Sequence, residues 1–332
     1  MASNSEGSES NSSKQPDITS DRNKPGQMYD TVTSSSHQLV PGYRPSGIGK
    51  SDPNQVIRVK SSKMYSVNVK GDSETCWILG ICATATGEFI ITDRGNNKVK
   101  LLDQTYKVVA QCNLSDVPNC MCSIDFSLVA VALKNNSVHF IRVTNGRLVH
   151  DRRLKLQHTC NGIAHHQDNL YIASDTALYQ YSVDGRLVSK MYEDLSGFST
   201  VSTCAVSPDG DRIYVLNLTS GQLMTLSRDG KVLSNLQLYN LTDGLKLKAK
   251  IVFAVGRIIP SCIHVTDSEQ VLVCESIANT IIQVDKDERH RLVEVISGEN
   301  LRHPTTIYYN KHSGTLIVGI CDNNNILVSA TQ

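Results

Sequence analysis

The sequence predicts an all-β, six-bladed β-propeller, and three observations carry that reading. A four-strand pattern recurs six times between Cys76 and Val328. Its anchors, Val99, Val138, Leu178, Leu223, Ile281 and Ile326, each open a strand after a polar turn. They follow one another at intervals of roughly 39 to 58 residues, the period of a propeller blade, with no helical periodicity between them. Turn chemistry then returns about six residues past the anchors, at Thr105, Thr144 before Asn145-Gly146, Asp184-Gly185, Asp229-Gly230 and Asp287.

The 332 residues divide unequally. Residues 1–55 are rich in Ser, Asn, Pro, Gly and charge, and bury too little apolar surface to offset their ordering entropy, so a disordered tail is expected. Residues 63–329 are expected to form the propeller as one domain.

In the first blade Leu79–Ala83 reads as a short apolar inner strand, and Thr86-Gly87 turns it into Glu88–Thr92. Asp93-Arg94-Gly95-Asn96-Asn97 interrupts with residues suited to Asx-turns and positive φ. Lys98–Leu102 alternates as a half-buried third strand, and Lys107–Ala110 completes the blade. The second blade repeats this with Leu128–Ala132 and Val138–Ile141, the third with Asn169–Ile172 and Leu178–Tyr181, and the fourth with Arg212–Val215 and Leu223–Leu226. The fifth carries Gln270–Val273 and Ile281–Val284. The sixth has only three strands, ending at Ile326–Val328, while an orphan strand, Tyr65–Lys70, precedes the first blade. Pairing the orphan with the last strand closes the ring and removes an exposed edge.

Net charge is +1, so no global field steers the chain toward nucleic acid. The N-terminus lacks signal-peptide architecture and no apolar run is long enough to span a bilayer, so a cytoplasmic location without membrane association is expected. The ten cysteines form no Cys-x-x-Cys pair, which argues against zinc ribbons and thioredoxin chemistry. Cys120, Cys160, Cys204 and Cys262 recur 18 or 19 residues before their anchors, as buried packing thiols would.

Catalytic motifs are missing: there is no Gly-x-Ser-x-Gly elbow, glycine-rich phosphate loop or His-Glu-x-x-His. His165-His166 point to opposite faces of a strand, and His158, His264 and His303 lie near inner-strand starts, where they could face the channel. Asp93, Asn217 and Glu275 each stand six residues before an anchor and could approach a channel calcium, as a metal-dependent lactonase or esterase requires. The corresponding residues of the second and third blades, Ala132 and Ile172, leave that ligand ring incomplete. No cofactor or metal is therefore expected, and no catalytic residue is assigned.

The run Cys76-Trp77-Ile78-Leu79-Gly80-Ile81, continuing through Gly87–Asp103, resembles the opening blade of NHL-like (TolB-like) propellers of invertebrate tripartite-motif (TRIM) proteins. His303–Ile307 and Leu316–Ile326 resemble their closing blade. The resemblance implies a C-terminal recognition platform. The chain shows no RING or B-box zinc spacing and no heptad pattern, so ligase activity does not carry over. It implies protein–protein recognition first, by a propeller that is itself monomeric. RNA binding through a basic loop face is the alternative. The loops expected on that face carry Arg94, Lys134, Arg257 and Arg302, joined by Lys246, Lys248 and Lys250 in the long insertion after the fourth blade. Trp77, the single tryptophan, is expected in the core.

Overall fold

The computed structural model describes residues 52–238, 262–276, 278–285, 287, 290–298 and 301–332. The expected tail up to residue 51 and the insertion with Lys246, Lys248, Lys250 and Arg257 lie outside them.

Six four-stranded antiparallel sheets form the ring. Blade one comprises β2 (Ile78–Ala83), β3 (Phe89–Asp93), β4 (Lys98–Leu102) and β5 (Val108–Asn113). Blade two has β6 (Pro118–Ser123), β7 (Leu128–Leu133), β8 (Ser137–Thr144) and β9 (Arg147–Lys155). Blade three has β10 (Gly162–His166), β11 (Asn169–Ser174), β12 (Ala177–Ser182) and β13 (Leu187–Glu193). Blade four has β14 (Thr203–Val206), β15 (Arg212–Asn217), β16 (Gln222–Ser227) and β17 (Val232–Gln237). Blade five has β18 (Ile263–Val265), β19 (Val271–Glu275), β20 (Thr280–Val284) and β21 (Arg291–Ser297). Blade six joins β22 (Pro304–Asn310), β23 (Thr315–Ile320) and β24 (Asn325–Thr331) to β1 (Val59–Ser66). This is the six-bladed propeller that the repeat predicts, and all six anchors are fully buried on third strands.

The repeat folds this way because each middle strand feeds two cores. On β7, Leu128, Ala130 and Ala132 pack toward blade three, whereas Val129, Val131 and Leu133 pack toward blade one. Successive side chains point to opposite faces, so a strand sandwiched between blades must be apolar throughout. Six apolar clusters result, one in each interface between adjacent blades. The repeat cysteines occupy these interfaces: Cys160 and Cys204 are buried, and Cys120 and Cys262 half-buried. Burial raises each of the four thiols above its usual pKa, which disfavours the reactive thiolate. His165 and His166 diverge as alternation requires, His166 lying beneath Gly210 of the next blade.

Turns follow the local chemistry. Asn97, Asn136, Asn145, Asn279 and Asp322 have positive φ, as do Gly146, Gly185 and Gly230. Gly95 is required for a different reason: a Cβ there would lie 2.2 Å from Thr75 O.

Ring closure uses the N-terminal strand, but not the residues expected for it. β1 pairs with β24 from Val59↔Thr331 to Ser66↔Asn325, with Tyr65 opposite Ile326. Val67–Lys70 lies beyond the strand, because this segment crosses to blade one and is held there by charge. Lys100 Nζ donates to Val67 O (2.9 Å), Asp72 Oδ2 (2.7 Å) and Asp93 Oδ2 (2.7 Å). Lys98 Nζ binds Asp72 Oδ1 (2.7 Å) and Gly71 O (2.9 Å). Upstream of β1, Gln55 O accepts from Gln270 and Gln283, and Ile57 joins the core between blades five and six.

Candidate functional site

The strand registers define one face of the ring. In blade one, Ile78 is opposite Asp93, Asp93 opposite Lys98 and Lys98 opposite Asn113. The turns between second and third strands therefore share a face with the connections from one blade to the next. Arg94 and Lys134 sit in such turns on blades one and two, and Arg302 in the connection into blade six. These three of the expected basic residues thus occupy contiguous blades on one face.

Arg94 is the most constrained of them. Its guanidinium lies over the Trp77 ring, 5.1 Å from the centroid. Nη1 donates to Asn119 Oδ1 (2.8 Å) and Pro118 O (3.4 Å) on blade two. Asn119 Nδ2 in turn donates to Cys160 O (3.0 Å) on blade three. Three blades are thus tied together beneath this side chain. Burial pulls the Arg94 pKa below its ordinary value. Trp77 is half-buried at this face and not in the core, because β2 begins only at Ile78 and the side chain one residue earlier emerges at the rim. Lys134 and Arg302 are exposed, and neither forms an ion pair among the described residues.

On the opposite side of the same face, the connection from blade three to blade four carries Leu195 and Phe198, 76% and 59% exposed. This loop is well fastened. Asp194 N donates to Thr176 O, Asp194 Oδ1 accepts from Ser196 N, Leu218 N donates to Ser199 O, and Thr200 Oγ1 donates to Asp194 O. The other exposed aliphatics, such as Val109, Val149, Val188 and Leu233, stand near the starts of outer strands, at corresponding places in successive blades. Phe126, 77% exposed, also lies in a loop, between β6 and β7 at the other end of the blades, so Leu195 and Phe198 are distinguished by no sequence motif but by their place on this face.

The residues proposed for a channel metal have separate tasks. Asp93 Oδ1 accepts from Trp77 N and Gly95 N, and Asn217 Oδ1 accepts from Ser220 N, so both cap four-residue turns. Blades two and three have shorter turns, so the equivalent strand ends are Leu133 and Ser174, in place of Ala132 and Ile172. Among the described residues, Asp72, Cys76 and Asp93 are the one group with ligand atoms mutually within 4.8 Å. The Lys100 ammonium already lies between them, 2.7 Å from each carboxylate and 3.4 Å from Cys76 Sγ. Of the histidines, His264 is half-buried and its Nε2 accepts from Tyr309 N, while His158 stacks on Tyr179 at 3.9 Å. His303 is exposed in the loop before β22. A concavity of about 340 Å³, lined by Gln55, Ile57, Tyr309, Lys311 and His312, lies at the other end of the blades.

Glu275 is a buried carboxyl with an unmet need. It is 2% exposed, Oε1 has no hydrogen-bond partner, and Oε2 lies 3.4 Å from Arg291. Burial outweighs the nearby guanidinium and raises its pKa from 4.5 to about 7. A raised carboxyl pKa favours the folded state below the unfolded value, and that contribution is lost as pH rises through about 7. Glu275→Gln is therefore expected to flatten the decline in stability between pH 5 and pH 8, by on the order of 2–3 kcal/mol. Urea unfolding at the two pH values checks this; an equal difference between variant and parent at both would refute it.

No protein-family model matches the chain, and no curated protein matches its sequence. Solved structures do match. A catalytically inactive virginiamycin B lyase from Staphylococcus aureus, crystallised with quinupristin, is 13% identical with a TM-score of 0.57, covering 81% of this chain and 99% of its own. A Bacteroides thetaiotaomicron protein of unknown function is 12% identical with a TM-score of 0.61, covering 82% and 76%. The Dos1 propeller is 9% identical with a TM-score of 0.53, covering 84% and 96%. At such identities the likeness is one of fold: the chain shares its architecture with an enzyme and with the Dos1 propeller, and the fold does not fix the function. No described helix is long and apolar enough to cross a membrane.

Proposed function

We propose that the chain is a non-catalytic platform for protein recognition, as its resemblance to tripartite-motif propellers implies. The observation that carries this reading is the Leu195–Phe198 loop. Leu195, held 76% exposed by a hydrogen-bonded loop, forgoes the gain of burial, and a partner that covers it recovers that gain. Arg94, Lys134 and Arg302 add a polar, basic region to the same face, the mixture that recognition surfaces use. Against an RNA ligand stand the near-neutral charge and the shortage of stacking platforms: the Trp77 ring is already covered by Arg94. The turn-capping roles of Asp93 and Asn217 favour binding over hydrolysis.

The test is crosslinked partner capture with the parent and with a Leu195→Ser/Phe198→Ser variant. The expected result is a partner retained by the parent and lost by the variant, with melting temperatures unchanged. Pooled RNA should show no salt-sensitive retention, and quinupristin should remain intact. Capture that ignores both substitutions would sink this reading, and salt-dependent RNA retention would replace it with the RNA alternative.

A further inference from the structure

Arg94 is a half-buried cation with no carboxylate beside it among the described residues. Taking a charge partly out of water without a counter-charge is costly, and a guanidinium serving only the fold is normally paired. Here its position is enforced: Trp77 supports its flat face, and Asn119, itself fixed by Cys160 O, holds Nη1. Every hydrogen bond it makes to protein leaves from Nη1. Among the described residues, its Nε–H and Nη2–H edge has no hydrogen-bond acceptor. That edge is the two-donor fork whose geometry matches a planar carboxylate. Lys134 and Arg302, exposed on the adjacent blades, add positive potential around it.

We propose that Arg94 is a carboxylate-binding anchor, whose Nε/Nη2 fork receives an Asp, Glu or C-terminal carboxylate of a polypeptide partner. The inference rests on the protein-recognition reading and names the chemistry recognised. A single preorganised fork suits one carboxylate. A phosphodiester backbone calls for a track of cations and draws its affinity from the number neutralised. Of the cations at this face on blades six, one and two, Arg94, Lys134, Arg302, Lys70 and Lys155 among them, Arg94 is the one braced by an aromatic ring and a side-chain amide together. Preorganisation by Trp77 and Asn119 spares a ligand the cost of ordering the side chain.

The experiment is selection of binders to the intact protein from a phage-displayed library of peptides about twelve residues long. Recovered binders are then measured against Arg94→Lys, which keeps the charge and loses the fork, and Arg94→Met, which loses both. The expected result is acidic binders that weaken at least roughly ten-fold on either substitution and on Glu→Gln or Asp→Asn exchange in the peptide. Arg94→Met should lower the melting temperature modestly, because it leaves Asn119 Oδ1 without its donor and uncovers Trp77, so binding is compared at a temperature at which both variants remain folded. In a second measurement, the Arg94 Nε–H resonance, identified by its absence in Arg94→Lys, should shift with the acidic peptide and not with its amide counterpart. Binders indifferent to Arg94 would overturn the anchor and leave the platform reading intact. A library that yields no binder overturns the anchor, while partner loss at Leu195 and Phe198 judges the platform separately. Displacement of the peptide by hexauridylate at equal or lower concentration would overturn the carboxylate assignment in favour of phosphodiester.

Discussion

Replacing Lys100 with methionine is expected to destabilise the propeller by about 3–5 kcal/mol at neutral pH, the scale of breaking a buried ion pair from one side. The ammonium is fully buried and is the shared partner of Asp72 and Asp93, at 2.7 Å from each. Methionine fills similar volume but leaves both carboxylates facing an apolar chain. For a domain of this size the loss corresponds to a fall in melting temperature of roughly 6–20 °C. The pH dependence separates this cause from a packing defect. Burial alone would raise the Asp72 pKa, but the hydrogen bonds from Lys100 and Lys98 outweigh it and hold the carboxyl below its ordinary 3.8. In the parent, that contribution is present above about pH 4 and is lost as pH falls through the depressed folded value. Without Lys100, Asp72 protonates more readily, so the variant's deficit should shrink on acidification from pH 7 to pH 4. Urea unfolding at both pH values decides the matter. A constant deficit would mean that the cage contributes through packing and not through charge.

Removal of residues 1–66 is the second large effect expected. It takes away β1 and leaves β24 as an unpaired edge at the seam of the ring. It also strips Ile57, Val59 and Met64 from the core between blades five and six. The truncated chain should melt earlier and less cooperatively, and its open edge should drive concentration-dependent association. A synthetic peptide covering 55–68 added in trans should restore the monomer and raise the melting temperature. If the truncated chain melts like the intact one and stays monomeric, β1 does not close the ring in the way its register indicates.

Most of the architecture was legible in the sequence, and the anchors show why. Val99, Val138, Leu178, Leu223, Ile281 and Ile326 all occupy the same buried place, because a blade sandwiched between two neighbours admits only apolar side chains there. The boundaries of the closing strand were less legible. The alternation of Tyr65–Lys70 looks like a strand, yet Val67–Lys70 serves as a crossing segment, since Lys100 captures Val67 O at its start and Lys98 captures Gly71 O just past its end. Equivalence by residue count also failed wherever turn length changed, so that Leu133 and Ser174, not Ala132 and Ile172, match Asp93.

The candidate face divides in the same way. Arg94, Lys134 and Arg302 were assigned to one face from blade grammar alone, because antiparallel order dictates which turns share an end. That Arg94 lies on Trp77 and reaches Asn119 was not readable, nor was the exposure of Leu195 and Phe198, nor the orphaned oxygen of Glu275. Each depends on residues distant in the chain or on a loop's path through space. The six-fold repetition by itself determined how the platform is built, since period and polarity are local properties of the chain. Only the tertiary structure decided how the side chains at its rim are held and exposed, because that is settled by what another blade brings within a few ångströms.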